Sequence, residues 1–192
     1  MGFDPAGDCL DYGAGTGLFA RMMRDRGWRY FASDKYAAPF FMDGFMAAPG
    51  RRTWQMISAF EVFEHLADPA ADLDAMLGSA ARLVFFTTDL WERQGPDWPY
   101  LNPQQGHHVF FYTSKALRMT AARFGFEYHD LGFVKCLARP TEAAGLAAIR
   151  ALGVQGFGER VLDSFLRHVR DPYKFANLDH QALRAAQGGK SL

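Results

Sequence analysis

Four groupings in this 192-residue chain have the residue types and spacing to do chemistry. The first is Asp11-x-Gly13-x-Gly15-x-Gly17, inside the stretch LDYGAGTGLFARMMRDRG from Leu10 to Gly27. Glycines packed this closely after an apolar run form a turn whose backbone can come close to a ligand. The second is Asp34, which closes the segment RYFAS. The third is Glu61, Glu64 and His65, at the end of the apolar run TWQMISAFEVF, and the fourth is the pair His107 and His108, which follows an aromatic segment.

The glycine spacing narrows the ligand. A phosphate-binding loop needs a lysine and then serine or threonine directly after its last glycine, and no lysine occurs here before Lys35. A dinucleotide turn needs its third glycine at the sixth position, which here is Leu18; the third glycine comes one residue early, at Gly17. Asp11 adds an acidic group beside the turn, which repels a pyrophosphate and suits a ligand with positive charge, such as an amino-acid ammonium. Asp34 follows about 20 residues past the turn, where a carboxylate accepts hydrogen bonds from ribose hydroxyls. An adenosine joined to an amino acid satisfies both ends.

These groups need a scaffold that brings them to one edge. Asp8 to Tyr12 reads as a short strand, Leu18 to Gly27 as a helix and Arg29 to Ser33 as a second strand, the length expected of a parallel crossover. The segment that follows, to Arg52, is proline- and glycine-punctuated and reads mostly as loop. Thr53 to Phe63 and Ala81 to Thr88 are near-continuous apolar runs, typical of strands buried on both faces, with a helix capped by Asp68 between them. Asp89 to His108 is a long aromatic segment holding Trp91, Trp98 and Tyr100, and long irregular segments of this kind tend to be functional lids. A helix capped at Thr113 or Ser114 and a hairpin ending near Arg139 close the pattern, and alanine-rich helices follow from Thr141. The alternation specifies a three-layer α/β sandwich with a mostly parallel sheet, whose ligands bind at the carboxyl ends of the strands.

Composition excludes several classes. Lysine plus arginine equals aspartate plus glutamate at 21 each, so there is no cationic field for nucleic acid. Cys9 and Cys136 stand far apart, with no spacing that suggests zinc, and read as two buried thiols of a reducing compartment. No apolar run approaches the length of about 20 residues needed to span a bilayer, so the expectation is a cytoplasmic protein with no membrane partner.

Three blocks, LDYGAGTGLFARMMRDRG, FASD and ISAFEVFEHLADP, together resemble the class I S-adenosylmethionine-dependent methyltransferases. The third block and GHHVFFYTSKALRMTAARFGFE are similar to the branch related to ubiquinone-biosynthesis methyltransferases. The resemblance covers roughly Asp8 to Arg139. It implies a Rossmann-like sheet of seven strands with a C-terminal antiparallel hairpin, a methyltransferase domain over 1–140 and a helical extension over 141–192. It implies S-adenosylmethionine as cofactor and S-adenosylhomocysteine as product, with Asp11, Tyr12, Gly13, Ala14, Gly15 and Gly17 around the methionine part, Asp34 on the ribose and Phe60 and Glu61 lining the methionyl side.

The implied reaction is a direct displacement onto a small-molecule oxygen or nitrogen, which needs no metal and no covalent protein nucleophile. Proton removal from the acceptor then falls to a histidine, His107 first, since it ends the aromatic segment, and His65 second. Family members usually carry helices ahead of the first strand, which here begins near Asp8. The helices after Thr141 supply that cover, or a homodimer completes the pocket, or the chain is a cofactor-binding domain whose activity is lost or depends on a partner.

Overall fold

The computed structural model describes residues 7–47, 53–104, 106–142 and 144–146. These residues belong to two compact units that divide at Pro49 and Gly50. The architecture is α/β with a mixed six-stranded sheet, and the expected seventh strand is not among the described residues.

In the first unit, β1 (Cys9–Tyr12) and β2 (Tyr30–Ser33) pair in parallel, with Asp11 opposite Ala32 and Tyr12 opposite Ser33. The crossover between them is α1 (Leu18–Asp25), whose amide and carbonyl ends are closed by Gly17 and Arg26. Its inner side buries Ala20 and Met23 against the strands, and Phe19 meets Tyr30 edge-on with ring centroids 5.7 Å apart. Arg24 is buried too; it donates to the Tyr30 carbonyl at 2.7 Å and lies 4.0 Å over the Phe45 ring, so its charge is solvated by a carbonyl and a π-face. The loop expected after β2 holds one 3-10 turn, Phe40–Met42, and a bridge from Met46 to Ala32.

The second unit is ordered β3-β4-β6-β5: β3 (Trp54–Phe60) is parallel to β4 (Ala80–Thr87), and both β4 and β5 (Glu127–Leu131) run antiparallel to β6 (Val134–Ala138). Ile57 and Ala59 of β3, Val84 and Phe86 of β4, and Cys136 and Leu137 of β6 are buried at or near zero exposure, which is why these strands read as unbroken apolar runs. α2 (Pro69–Ser79) begins at the expected proline, and the Asp68 side chain accepts from the Ala71 amide at 3.1 Å. α3 (Ser114–Arg123) starts at Thr113, whose hydroxyl accepts from the Ala116 amide at 3.0 Å. Arg139 finishes α3 by donating to the Phe124 carbonyl at 2.6 Å while stacking 3.9 Å over Phe126.

β3 is shorter than its apolar run. It stops at Phe60, because Glu61 takes a left-handed conformation at φ 53° and Phe63–His65 form a 3-10 turn. Val62 and Phe63 are buried for a different reason: the Phe63 ring stacks on Phe86 at 4.1 Å and 10°. The helices expected after Thr141 lie outside the described residues, save a 3-10 turn at Pro140–Glu142 and residues 144–146. Both cysteines are free and buried, and burial pushes the Cys136 thiol well above its ordinary range, so it is an inert core group. No helix among the described residues is long and apolar enough to cross a membrane.

Candidate functional site

The glycine turn of the first unit is built almost wholly from backbone. Gly13, Gly15 and Gly17 have φ of 69°, 55° and 81°. The Gly13 and Ala14 amides donate to the Ser33 carbonyl at 2.8 and 3.1 Å, which ties the turn to the end of β2. At Gly17 a Cβ atom would lie 2.8 Å from Met42 Cγ and 3.0 Å from Pro39 Cβ, so this glycine lets the 3-10 turn close onto the start of α1. At Gly15 the same construction meets nothing within 4 Å, leaving open space beside the turn. Two glycines that look alike in sequence therefore do different work, one for packing and one facing a gap.

Asp34 is fastened to this turn. Its Oδ2 accepts from the Gly15 amide at 2.8 Å, and its Oδ1 from the Tyr36 and Ala37 amides at 2.8 and 2.7 Å. Partial burial works to raise its pKa, but the Ala37, Tyr36 and Gly15 amides together outweigh it and hold the carboxyl below its ordinary value. A carboxylate offers roughly four acceptor positions, so these three bonds leave about one for a further donor. Asp11 is buried on β1, with only 4% of its surface exposed.

In the second unit the 3-10 turn after β3 anchors a second group. The Val109 and Phe110 amides donate to the Glu64 carbonyl at 2.8 and 3.2 Å, which brings the end of the aromatic segment back onto the turn. The Leu90–Tyr112 bridge closes that segment at its base. His65 Nδ1 bonds the His107 carbonyl at 2.8 Å, and His108 Nδ1 bonds the Tyr100 carbonyl at 2.5 Å. Carbonyls only accept, so both rings donate from Nδ1. His65 Nε2 stands 3.9 Å from Glu64 Oε1.

Glu64 has no exposed surface, and burial is the main cause that raises its pKa, with Tyr100 and His65 acting to lower it and Glu61 to raise it. Burial likewise lifts the hydroxyls of Tyr100 and Tyr112, with the Glu64 charge adding to both. The Glu61 amide donates to Thr87 Oγ1 at 2.8 Å, holding the strand end in its left-handed conformation. Trp98 packs on Tyr100 and Phe111 with centroids 5.3 and 5.5 Å apart, and Tyr100 lies 4.4 Å from His108. Trp91 is exposed and donates to the Gln94 carbonyl.

A family model described as a methyltransferase domain matches residues 2–131. The chain belongs to this methyltransferase family. Solved structures agree on the fold. Magnesium protoporphyrin IX methyltransferase from Synechocystis PCC 6803 with bound SAH superposes with a TM-score of 0.52 at 13% identity, over 70% of this chain and 75% of that one. The YcgJ protein from Bacillus subtilis gives 0.50 at 15%, over 67% and 65%. Mitomycin 7-O-methyltransferase gives 0.52 at 12%, over 72% and 50%. No curated protein sequence matches the chain.

In this methyltransferase the structure gathers Asp11, Tyr12, Gly13, Ala14, Gly15, Gly17 and Asp34 in the first unit, around one turn. Phe60 ends β3 in the second unit and Glu61 follows it, four residues before His65. The His107 ring is exposed and its centroid lies 6.4 Å from that of His65, whereas the His108 ring lies 5.0 Å from it. Sequence reading missed the burial of Glu64, the inward turn of His108 and the position of Tyr100 beside both. The one available signal was the doublet Glu64-His65 following a buried strand, which reads equally as a solvated strand end.

Proposed function

We propose that this chain moves the methyl group of S-adenosylmethionine to a hydroxyl or amine of a small-molecule acceptor and releases S-adenosylhomocysteine. The observation that carries the reading is the bond from the Gly15 amide to Asp34 Oδ2, which locks a glycine turn of methyltransferase spacing to an acidic strand end. The open space beside Gly15 gives the amino-acid part of the cofactor room to approach, and the free acceptor position of Asp34 suits one ribose hydroxyl. Asp11 completes the set as the partner of the ammonium. Phe60 and Glu61 are assigned to the methionyl side by the family resemblance.

Transfer from a sulfonium is a direct displacement in which the nucleophile, carbon and leaving sulfur align, so the chain's task is alignment and exclusion of water. The acceptor proton goes to a histidine. His107, whose ring is exposed, is the first candidate and His65 the second. The small-molecule reading is supported by relatives of this fold that act on a porphyrin and on mitomycin. Residues 1–140 are read as the catalytic domain and 141–192 as its helical extension, in a cytoplasmic enzyme that works alone or as a homodimer.

The test is incubation of the full chain with methyl-labelled S-adenosylmethionine and a panel of hydroxylated and amino-substituted aromatic acceptors. Label in one acceptor class and stoichiometric S-adenosylhomocysteine are expected. Tight cofactor binding with no transfer to any acceptor supports a binding domain that has lost its activity or needs a partner.

A further inference from the structure

Glu64 is fully buried, and neither of its carboxylate oxygens makes a hydrogen bond of ordinary geometry. A buried carboxylate with only the Tyr100 hydroxyl and the His65 ring near it is costly unless a cation joins it. The two imidazoles beside it are both fixed through Nδ1 to backbone carbonyls, of His107 and Tyr100, and this is how proteins orient histidines whose other nitrogen binds a metal. One ligand atom from each of Glu64, His65 and His108 lies within 4.8 Å of the other two. Atoms sharing an ion at about 2.1 Å sit about 3 to 3.4 Å apart, so side-chain rotations of roughly 1.5 Å close the set.

We propose that Glu64, His65 and His108 bind a divalent transition-metal ion. Two imidazole nitrogens with a single carboxylate favour zinc, manganese, iron or cobalt over magnesium or calcium, which prefer all-oxygen sites. Three protein ligands leave a coordination position open to water or to an acceptor oxygen. A role for that position in lowering the pKa of an acceptor hydroxyl rests on the methyltransferase reading, but the binding site itself does not. Sequence spacing carries no sign of the set, because His65 and His108 meet only through the return of the aromatic segment onto Glu64.

The probe is Co2+ alone, titrated into the full chain after removal of metals by a chelator, with visible absorption and calorimetry as readouts and no cofactor present. The wild-type chain is expected to give saturable d–d absorption from a single ion. His65→Ala and His108→Ala are expected to weaken binding by about 10- to 100-fold, while His107→Ala, which keeps its backbone carbonyl, binds as wild type. Glu64→Gln is expected to behave like His108→Ala, with circular dichroism confirming its fold and Glu64→Asp replacing it if it does not fold. No saturable absorption from the folded wild type, or unchanged affinity in both His65→Ala and His108→Ala, overturns the proposal. S-adenosylhomocysteine titrated into the same metal-free chain reports separately on the cofactor, so the two readings fail independently.

Discussion

Replacing Asp34 by alanine removes an anion that holds three backbone amides, those of Gly15, Tyr36 and Ala37. Hydrogen bonds to a charged partner contribute about 1.5 kcal/mol each, so the gross loss is about 4 to 5 kcal/mol. The Tyr36 and Ala37 amides lie in an exposed stretch and regain water when the carboxylate goes, and solvent screens the remainder, which brings the expected net loss to about 2 kcal/mol. Asp34→Asn keeps the shape and an acceptor oxygen but not the charge, and should lose about 1 kcal/mol. The native carboxyl is held below its ordinary value, so its contribution is complete above the unfolded pKa of about 3.9 and disappears as pH falls through the lower native value. Denaturant unfolding of wild type and Asp34→Asn should therefore differ at neutral pH and converge as pH falls through the lowered native value. Affinity for S-adenosylhomocysteine should fall about 10- to 100-fold in Asp34→Ala through loss of a ribose partner and of the ordered turn. Two results would refute the reasoning: affinity within about twofold of wild type, or a stability gap between wild type and Asp34→Asn that widens toward acid pH.

Gly17→Ala should cost about 2 to 4 kcal/mol, because the methyl group meets Met42 and Pro39 at a left-handed backbone, and its unfolding midpoint in denaturant should shift accordingly. Gly15→Ala faces open space and should cost only about 1 kcal/mol from its positive φ while weakening S-adenosylhomocysteine binding, as calorimetry will report. Glu61→Gly relieves a left-handed glutamate at φ 53° and should leave Tm equal or slightly higher; reduced cofactor affinity alongside it assigns the side chain a binding role. His107→Ala should lower kcat about 10²-fold with cofactor affinity unchanged, since its carbonyl, which holds the His65 ring, survives the substitution; unchanged turnover removes its ring from proton transfer.

The glycine turn was legible because its signals are local. Positive φ demands glycine at Gly13, Gly15 and Gly17 whatever the surroundings, and Asp34 reaches Gly15 across a crossover whose length fixes the register of β1 against β2. The end of β3 was not legible, since Val62 and Phe63 continue the apolar run while serving a different contact, the stack on Phe86. The Glu64 cluster was hidden for a related reason. A glutamate beside a histidine at a strand end has no sequence mark of burial, and its burial is created by the Val109 and Phe110 amides arriving from the far end of a long irregular segment. Which of His107 and His108 turns inward is not marked in the sequence; the bond to the Tyr100 carbonyl shows that it is His108.

The central claim is that the turn from Asp11 to Gly17, with Asp34, holds an adenosine bearing an amino acid rather than a dinucleotide. Calorimetric titration of the full chain with S-adenosylhomocysteine and, separately, with NAD tests it most directly. Saturable 1:1 binding of S-adenosylhomocysteine with a dissociation constant on the order of micromolar is expected, with no heat of binding from NAD. Binding of NAD with no binding of S-adenosylhomocysteine would contradict it.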